Sequence, residues 1–235
     1  MARTLRFRNS LDAESTRDYD LKFGANVYIP EYHRIEDRAE SLAFMQANPF
    51  AILISAASDG PFATQIPVVV RQVAGQVVLR AHVAKSNPHW KLMEDGQQQD
   101  SLVIFHGPHA YISPTLYENR ESVPTWNYAA VHIYGRGKIL NAESDIRQLL
   151  LDLISQFDSS YQERWLSLRP EYQTRMLSHI VAFEITATRI ETKFKLSQNR
   201  TKADQENVIQ SLSRSPDSAV SGVAALMRQQ GLGRR

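Results

Sequence analysis

Residues Arg80 to Lys91, RAHVAKSNPHWK, bring an arginine, two lysines, two histidines, a hydroxyl, an amide and an indole to one short stretch. Asn87 followed by Pro88 is a capping residue before proline in the first helical turn, so a short helix over about 88–94 is expected. A helix start offers free N–H groups and the positive end of a dipole, which suits a phosphate. Lys85 and Lys91 would add charge there, and Ser86 a hydroxyl donor. The same residues have an ordinary use: a cap, a core indole and two solvated lysines.

Other stretches invite chemistry. Trp126 and Tyr128 lie two apart, hence on one side of a strand, with Asn127 between them. They could cover a flat heteroaromatic ring, or pack in a core or a dimer interface. In Lys193 to Arg200, KFKLSQNR, a strand ends in a polar cluster where Gln198 and Arg200 could clamp an anion or a carbonyl. The bland alternative is a loop leading to a helix capped by Thr201 or Asp204. His106 to Pro114, HGPHAYISP, sets two histidines either side of Gly107-Pro108. The Gly-Pro is expected to turn the imidazoles in different directions while a kink aims His109 and Tyr111 at a cleft.

Several chemistries are missing. The seven histidines form no zincin motif and no helical i, i+4 pair, so no metal site is assigned. No G-x-S-x-G, S-x-x-K, P-loop or G-x-G-x-x-G occurs, and Gly135-Arg136-Gly137 sits in a β-rich stretch. Zero cysteines exclude disulfides, thiolate sites and a cysteine nucleophile. A net charge of +2 gives no overall field for nucleic acid. No apolar run approaches the ~20 residues of a membrane span, and a reducing cytoplasm is expected.

The elements that must position these residues follow from patterning. A helix is expected over 35–46, ended by Asn48-Pro49. Strands are expected over 50–56 and 62–70, joined by the turn Ser58-Asp59-Gly60-Pro61, with Pro67 marking an edge or bulge. Further strands are read at 77–83, 101–105 and 110–113, and a β-rich stretch at 126–140 bends near Gly135 and Gly137. Ile146, Leu149, Leu150, Leu153, Ile154 and Phe157 repeat with helical spacing. A second helix at about 171–178, a strand over 181–195 and tail helices over 203–212 and 219–230 complete the reading. Short strands with tight turns, interrupted by helices, argue for a small barrel with helical additions. Regular β-α alternation is absent, so a parallel doubly wound sheet is not expected.

The 235 residues suit one large domain or one domain with an appendage. Residues 1–26 carry five basic and four acidic side chains, mixed, and no apolar leader run. They read as a flexible N-terminal extension, with folding expected from Val27. Residues 27–200 read as the barrel domain with a helical insertion at about 143–178, and 201–235 as a C-terminal helical tail.

Taken in order, YIP, NPHWK, GPHAYISP, VPTWNYAAVHIYGRG and KFKLSQNR resemble the PaiB family from about Val27 to Leu212. The resemblance implies an FMN-binding split β-barrel, mainly β with flanking α-helices and α+β overall. It also implies a homodimer with flavin at the interface and a role as a negative transcriptional regulator. By position, His82, Lys85, Ser86 and Lys91 would meet the flavin phosphate, and Thr64, Gln65 and Ile66 the ring. His82 departs from the hydroxyl found at that place in pyridoxine phosphate oxidases. Family members tend to begin near Tyr28-Ile29-Pro30.

Three functions are expected in descending order. The first is a flavin-binding sensor or regulator, with DNA as a partner. The tail helices are poor in cations for that purpose, Arg228 being the second helix's basic residue. The second is an FMN-dependent oxidoreductase with His109, Tyr111, Trp126, Tyr128 and Arg200 above the ring. The third is haem handling, with His82, His109 or His132 as axial ligand.

Overall fold

The computed structural model describes residues 27–94 and 100–233, so the expected extension at 1–26 lies outside the described residues. Among these residues seven antiparallel strands form one sheet: β1 Phe50–Ala57, β2 Gly60–Pro67, β3 Val69–Val73, β4 Gln76–Ala84, β5 Ser101–Ile112, β6 Thr125–Ile139 and β7 Ile180–Lys195. Their order is β2-β1-β5-β6-β7-β4-β3. A flat sheet would hold β2 and β3 about 29 Å apart, six spacings of about 4.8 Å. Only Val68 separates those two strands in sequence. The sheet therefore curls until its ends adjoin. No ladder joins β2 to β3 among the described residues, so the barrel is split along that seam.

Alternation along each strand decides what faces inward. On β6, Asn127, Ala129, Val131 and Ile133 are buried, while Trp126, Tyr128, His132 and Tyr134 point outward. Leu53, Ile66, Leu79, Val103, Phe105, Ile185 and Phe194 share the interior. The expected strand 62–70 is two strands. Pro67 cannot donate to a ladder, and the chain bends at Val68 to cross the seam.

Among the described residues six α-helices flank the barrel: α1 Arg38–Ala47, α2 Glu143–Phe157, α3 Gln162–Ser167, α4 Pro170–Leu177, α5 Lys202–Ser213 and α6 Ser218–Gln229. The apolar stripe of α2, through Leu149 and Leu153, covers Val69, Leu140 and Ala182 on the outside of the sheet. Arg71 and Asp152, 2.5 Å apart, fasten β3 to it. Val208, Ile209 and Leu212 of α5, with Val223, Ala224 and Met227 of α6, join the main core. Thr201 caps α5 by accepting from the Asp204 amide. Helix α3 was not expected from the sequence, being only six residues long.

Two bulges shape the long strands. The expected strands at 101–105 and 110–113 are one strand, β5, whose register shifts between His106 and His109. Gly107 is required there: an added Cβ would lie 2.5 Å from Phe44 Cζ. The second shift, between Tyr134 and Gly135, falls where the glycines mark a bend.

Candidate functional site

The structure brings two of the sequence-predicted clusters together. Strand β2 pairs with β1 along one edge and has no ladder on the other among the described residues. That open edge lies against the turn after β4. Asn87 Nδ2 donates to Thr64 Oγ1 at 3.2 Å, and Thr64 Oγ1 lies 2.8 Å from His89 Nδ1. Thr64, Gln65 and Ile66 are thus neighbours of the segment carrying Lys85, Ser86 and Lys91. Their side chains are not equivalent. Thr64 and Ile66 face inward, opposite Leu53 and Ala51, and Ile66 is buried. Gln65 points outward opposite Ile52. A ligand on this strand would meet Gln65 and the unpaired main-chain groups of the edge.

The expected helix at 88–94 is a 3₁₀ segment, Pro88–Met93, capped by Asn87 Oδ1 accepting from the His89 amide. Six residues in this tighter winding give little dipole, so charge at the turn comes from side chains. Lys85, Ser86 and Lys91 are exposed, and neither lysine has a carboxylate partner among the described residues. Trp90 Nε1 donates to the Lys85 carbonyl, and the Lys91 ammonium lies 5.8 Å from the Trp90 ring centre. His82 points outward from β4 beside Ala182, and its buried Nδ1 has no hydrogen-bond partner among the described residues. Burial lowers its pKa, so a neutral imidazole here supplies a hydrogen bond rather than charge.

Sequence reasoning missed what holds this turn. His89 is fully buried, with Nε2 3.0 Å from Ser55 Oγ, which lies 2.7 Å from Ser101 Oγ. Asn87, Thr64, His89, Ser55 and Ser101 form one polar chain through the interior. Ser55 and Ser101 occupy inward positions of otherwise apolar strands, and that alternation was the available signal.

The second cluster lies on the outer face of β5 and β6. Tyr111 pairs with Trp126 and His109 with Tyr128 in the ladder. The Trp126 ring stands 6.0 Å from Tyr111 and 6.2 Å from His109, centre to centre. Trp126 and Tyr111 are 52% and 50% exposed, large values for rings on a well-packed sheet. His106 and His109 do not point apart as expected: their rings are 5.0 Å apart on this same face. The bulge at Gly107-Pro108 resets the alternation, so residues three apart share a side. Burial first, then the charge of His109, lowers the His106 pKa.

Gln198 and Arg200 do not join that wall. Gln198 Oε1 accepts from the Leu196 amide and lies 2.8 Å from His33 Nδ1. Its amide braces the corner after β7. The Arg200 guanidinium stacks 4.1 Å over the Tyr117 ring. His132, outward on β6, has a buried Nδ1 without a partner among the described residues, and burial lowers its pKa. Among the described residues no three His, Asp or Glu side chains converge as metal ligands.

A curled, split antiparallel sheet with helices on its flanks is a split β-barrel, and solved structures share it. The flavocytochrome Anf3 of Azotobacter vinelandii superposes with a TM-score of 0.55 at 16% identity, over 71% of this chain and 72% of that one. A FAD and haem binding protein of Mycobacterium smegmatis gives 0.52 at 15% identity, over 69% and 73%. Residues 27–189 match the family described as "Putative FMN-binding domain". The chain is 34% identical over 203 residues to protease synthase and sporulation protein PAI 2 of Bacillus subtilis (strain 168), covering 86% of this chain and 96% of that protein. It is also 30% identical over 245 residues to the uncharacterized protein AN0679 of Emericella nidulans, covering 87% and 98%. The chain belongs to this FMN-binding-domain family, and within it to the PaiB type.

Proposed function

We propose that this chain binds FMN as a homodimer and acts in the cytoplasm as a regulator or sensor. One observation carries the reading: its two candidate ligand surfaces share the outside of the sheet but not one place on it. Gln65, Ile52, Ile104 and His132 form one row across β2, β1, β5 and β6. Trp126 lies six residues further along β6, about 20 Å away at the usual strand rise. A single cofactor cannot touch both within one chain. A second copy laid across the same face would bring its aromatic wall to the first copy's β2 edge and lysines.

Such a dimer would also cover Trp126, Tyr111 and the half-exposed Ile52, Ile54 and Ile104. Lys85, Lys91 and Ser86 fit the phosphate; the β2 edge and Gln65 fit the ring. The flavin would carry the electrons, while these residues bind and orient it. The family description and the PAI 2 relative, named for protease synthesis and sporulation, support the flavin and the regulatory role. No described helix is long and apolar enough to cross a membrane.

DNA contact has a direct test. Tail helices α5 and α6 bury their apolar sides, and Arg228 donates to Ser213 Oγ at 2.7 Å. Gel-shift titration against genomic fragments should show a specific shift over competitor DNA at moderate salt; no shift would remove direct DNA binding from the proposal. NADH or NADPH consumption with added FMN would instead indicate an oxidoreductase.

A further inference from the structure

A cleft of about 240 Å³ opens where β6 starts and β7 stops. It is smaller than the roughly 300–1,000 Å³ of drug-sized ligand sites. Its charged side chains are Lys195 and Arg200, with no Asp or Glu among the described residues that line it. Neither cation has a carboxylate partner among the described residues. Lys195 Nζ donates to Thr125 Oγ1 at 2.6 Å, and Arg200 stacks on Tyr117. The nearby Asp204 carboxylate is taken by the Glu118 amide at 2.8 Å. Two cations lining one concave site focus a positive potential there.

The cleft is built rather than incidental. Ser197 sits at its base with φ of 65°, a left-handed conformation that costs a non-glycine residue energy. Asn127, fully buried, holds Ser197 through bonds of 2.9 and 3.2 Å. Gln205 Nε2 donates to the Ser197 and Arg200 carbonyls, fixing the corner that presents Arg200. The Tyr117 hydroxyl is buried and has no hydrogen-bond partner among the described residues. A buried donor left unpaired is costly, and an acceptor in the cleft would satisfy it.

We propose that this cleft binds a small oxyanion, a carboxylate or inorganic phosphate, held by Arg200, Lys195 and the Tyr117 hydroxyl. The guanidinium fork matches either group, and the ammonium adds a point charge. The cleft shares no side chain with the β2 edge or with Lys85 to Lys91, so it stands apart from the flavin proposal.

Thermal melts of the full chain test it, with acetate, pyruvate, succinate and inorganic phosphate titrated against sodium chloride at matched ionic strength. At least one of them should raise Tm with concentration, as a ligand of the native state must. Shifts confined to the acids identify a carboxylate site, and a shift with phosphate a phosphate site; both support the oxyanion reading. Tyr117→Phe should not lower the ligand-free Tm, since it removes a buried hydroxyl that has no partner to lose, and relief of that unpaired donor should raise it if anything, while binding weakens at least tenfold. Arg200→Gln should weaken it further, with FMN binding untouched. No shift beyond the chloride control, or an undiminished shift in Tyr117→Phe, would overturn the proposal.

Discussion

Thr64 Oγ1 lies 2.8 Å from His89 Nδ1, and this contact clamps the open edge of β2 to the turn that carries Lys85 and Lys91. The same hydroxyl accepts from Asn87 Nδ2, so one side chain serves both ends of the turn. Thr64→Val keeps the shape and removes the hydroxyl, stranding a buried imidazole nitrogen. Stability should drop by about 1–3 kcal/mol. Urea denaturation with an unchanged midpoint would show that the polar chain is not what fixes the turn.

Lys85 and Lys91 are assigned to the flavin phosphate because they are exposed, have no carboxylate partner among the described residues and lie on the turn that touches β2. Replacing both with methionine should weaken FMN binding at least tenfold, about 1.4 kcal/mol. Riboflavin, which lacks the phosphate, should bind the variant and the parent alike. Equal losses for both ligands would place the lysines elsewhere.

The exposed wall of Tyr111 and Trp126 is assigned to a second copy of the chain. Trp126→Lys should yield monomers in size-exclusion chromatography with light scattering, because a lysine on each copy would be buried without a partner. The ring is 52% exposed in the single chain, so folding should survive. A dimer that persists unchanged would remove this face from the interface.

His33, His82, His89, His106 and His132 all have pKa values lowered from 6.5, burial being the largest cause in each. As pH falls the unfolded chain takes up these protons first, so their contribution is complete above about pH 6.5 and is lost below it. Melting temperature should be level from about pH 8 to 7 and fall between about pH 6.5 and 5.5. His89 is the most consequential, because its ring is fully buried between two hydroxyls. A melting temperature independent of pH through that range would contradict the assignment.

Strand alternation made most of the barrel legible in the sequence. The helical stripe of Ile146 to Phe157 and the turn Ser58 to Pro61 were equally clear. Pro67 was visible as a disruption, but its consequence was not: a bend there joins the two ends of a seven-strand sheet. Strand order depends on contacts distant in sequence, and local pattern carries none of that. Resemblance assigned β2 and the Lys85 to Lys91 segment to one flavin; the contact of Thr64 with Asn87 and His89 of that segment is visible only in the structure. His89 escaped notice because one histidine in a cationic stretch gives no hint that two serines on other strands will meet it. Arg200 was expected with Trp126 above a flavin ring; the corner at Ser197, fixed by Asn127, sets it over Tyr117 instead.

The claim that flavin sits on a surface completed by two copies is tested most directly by sedimentation velocity. FMN is added below the protein concentration and the flavin band is followed. The flavin should sediment with a species of two chains, and Trp126→Lys should release both the dimer and the flavin together. Flavin that sediments with a single chain, or stays free while the dimer persists, would contradict it.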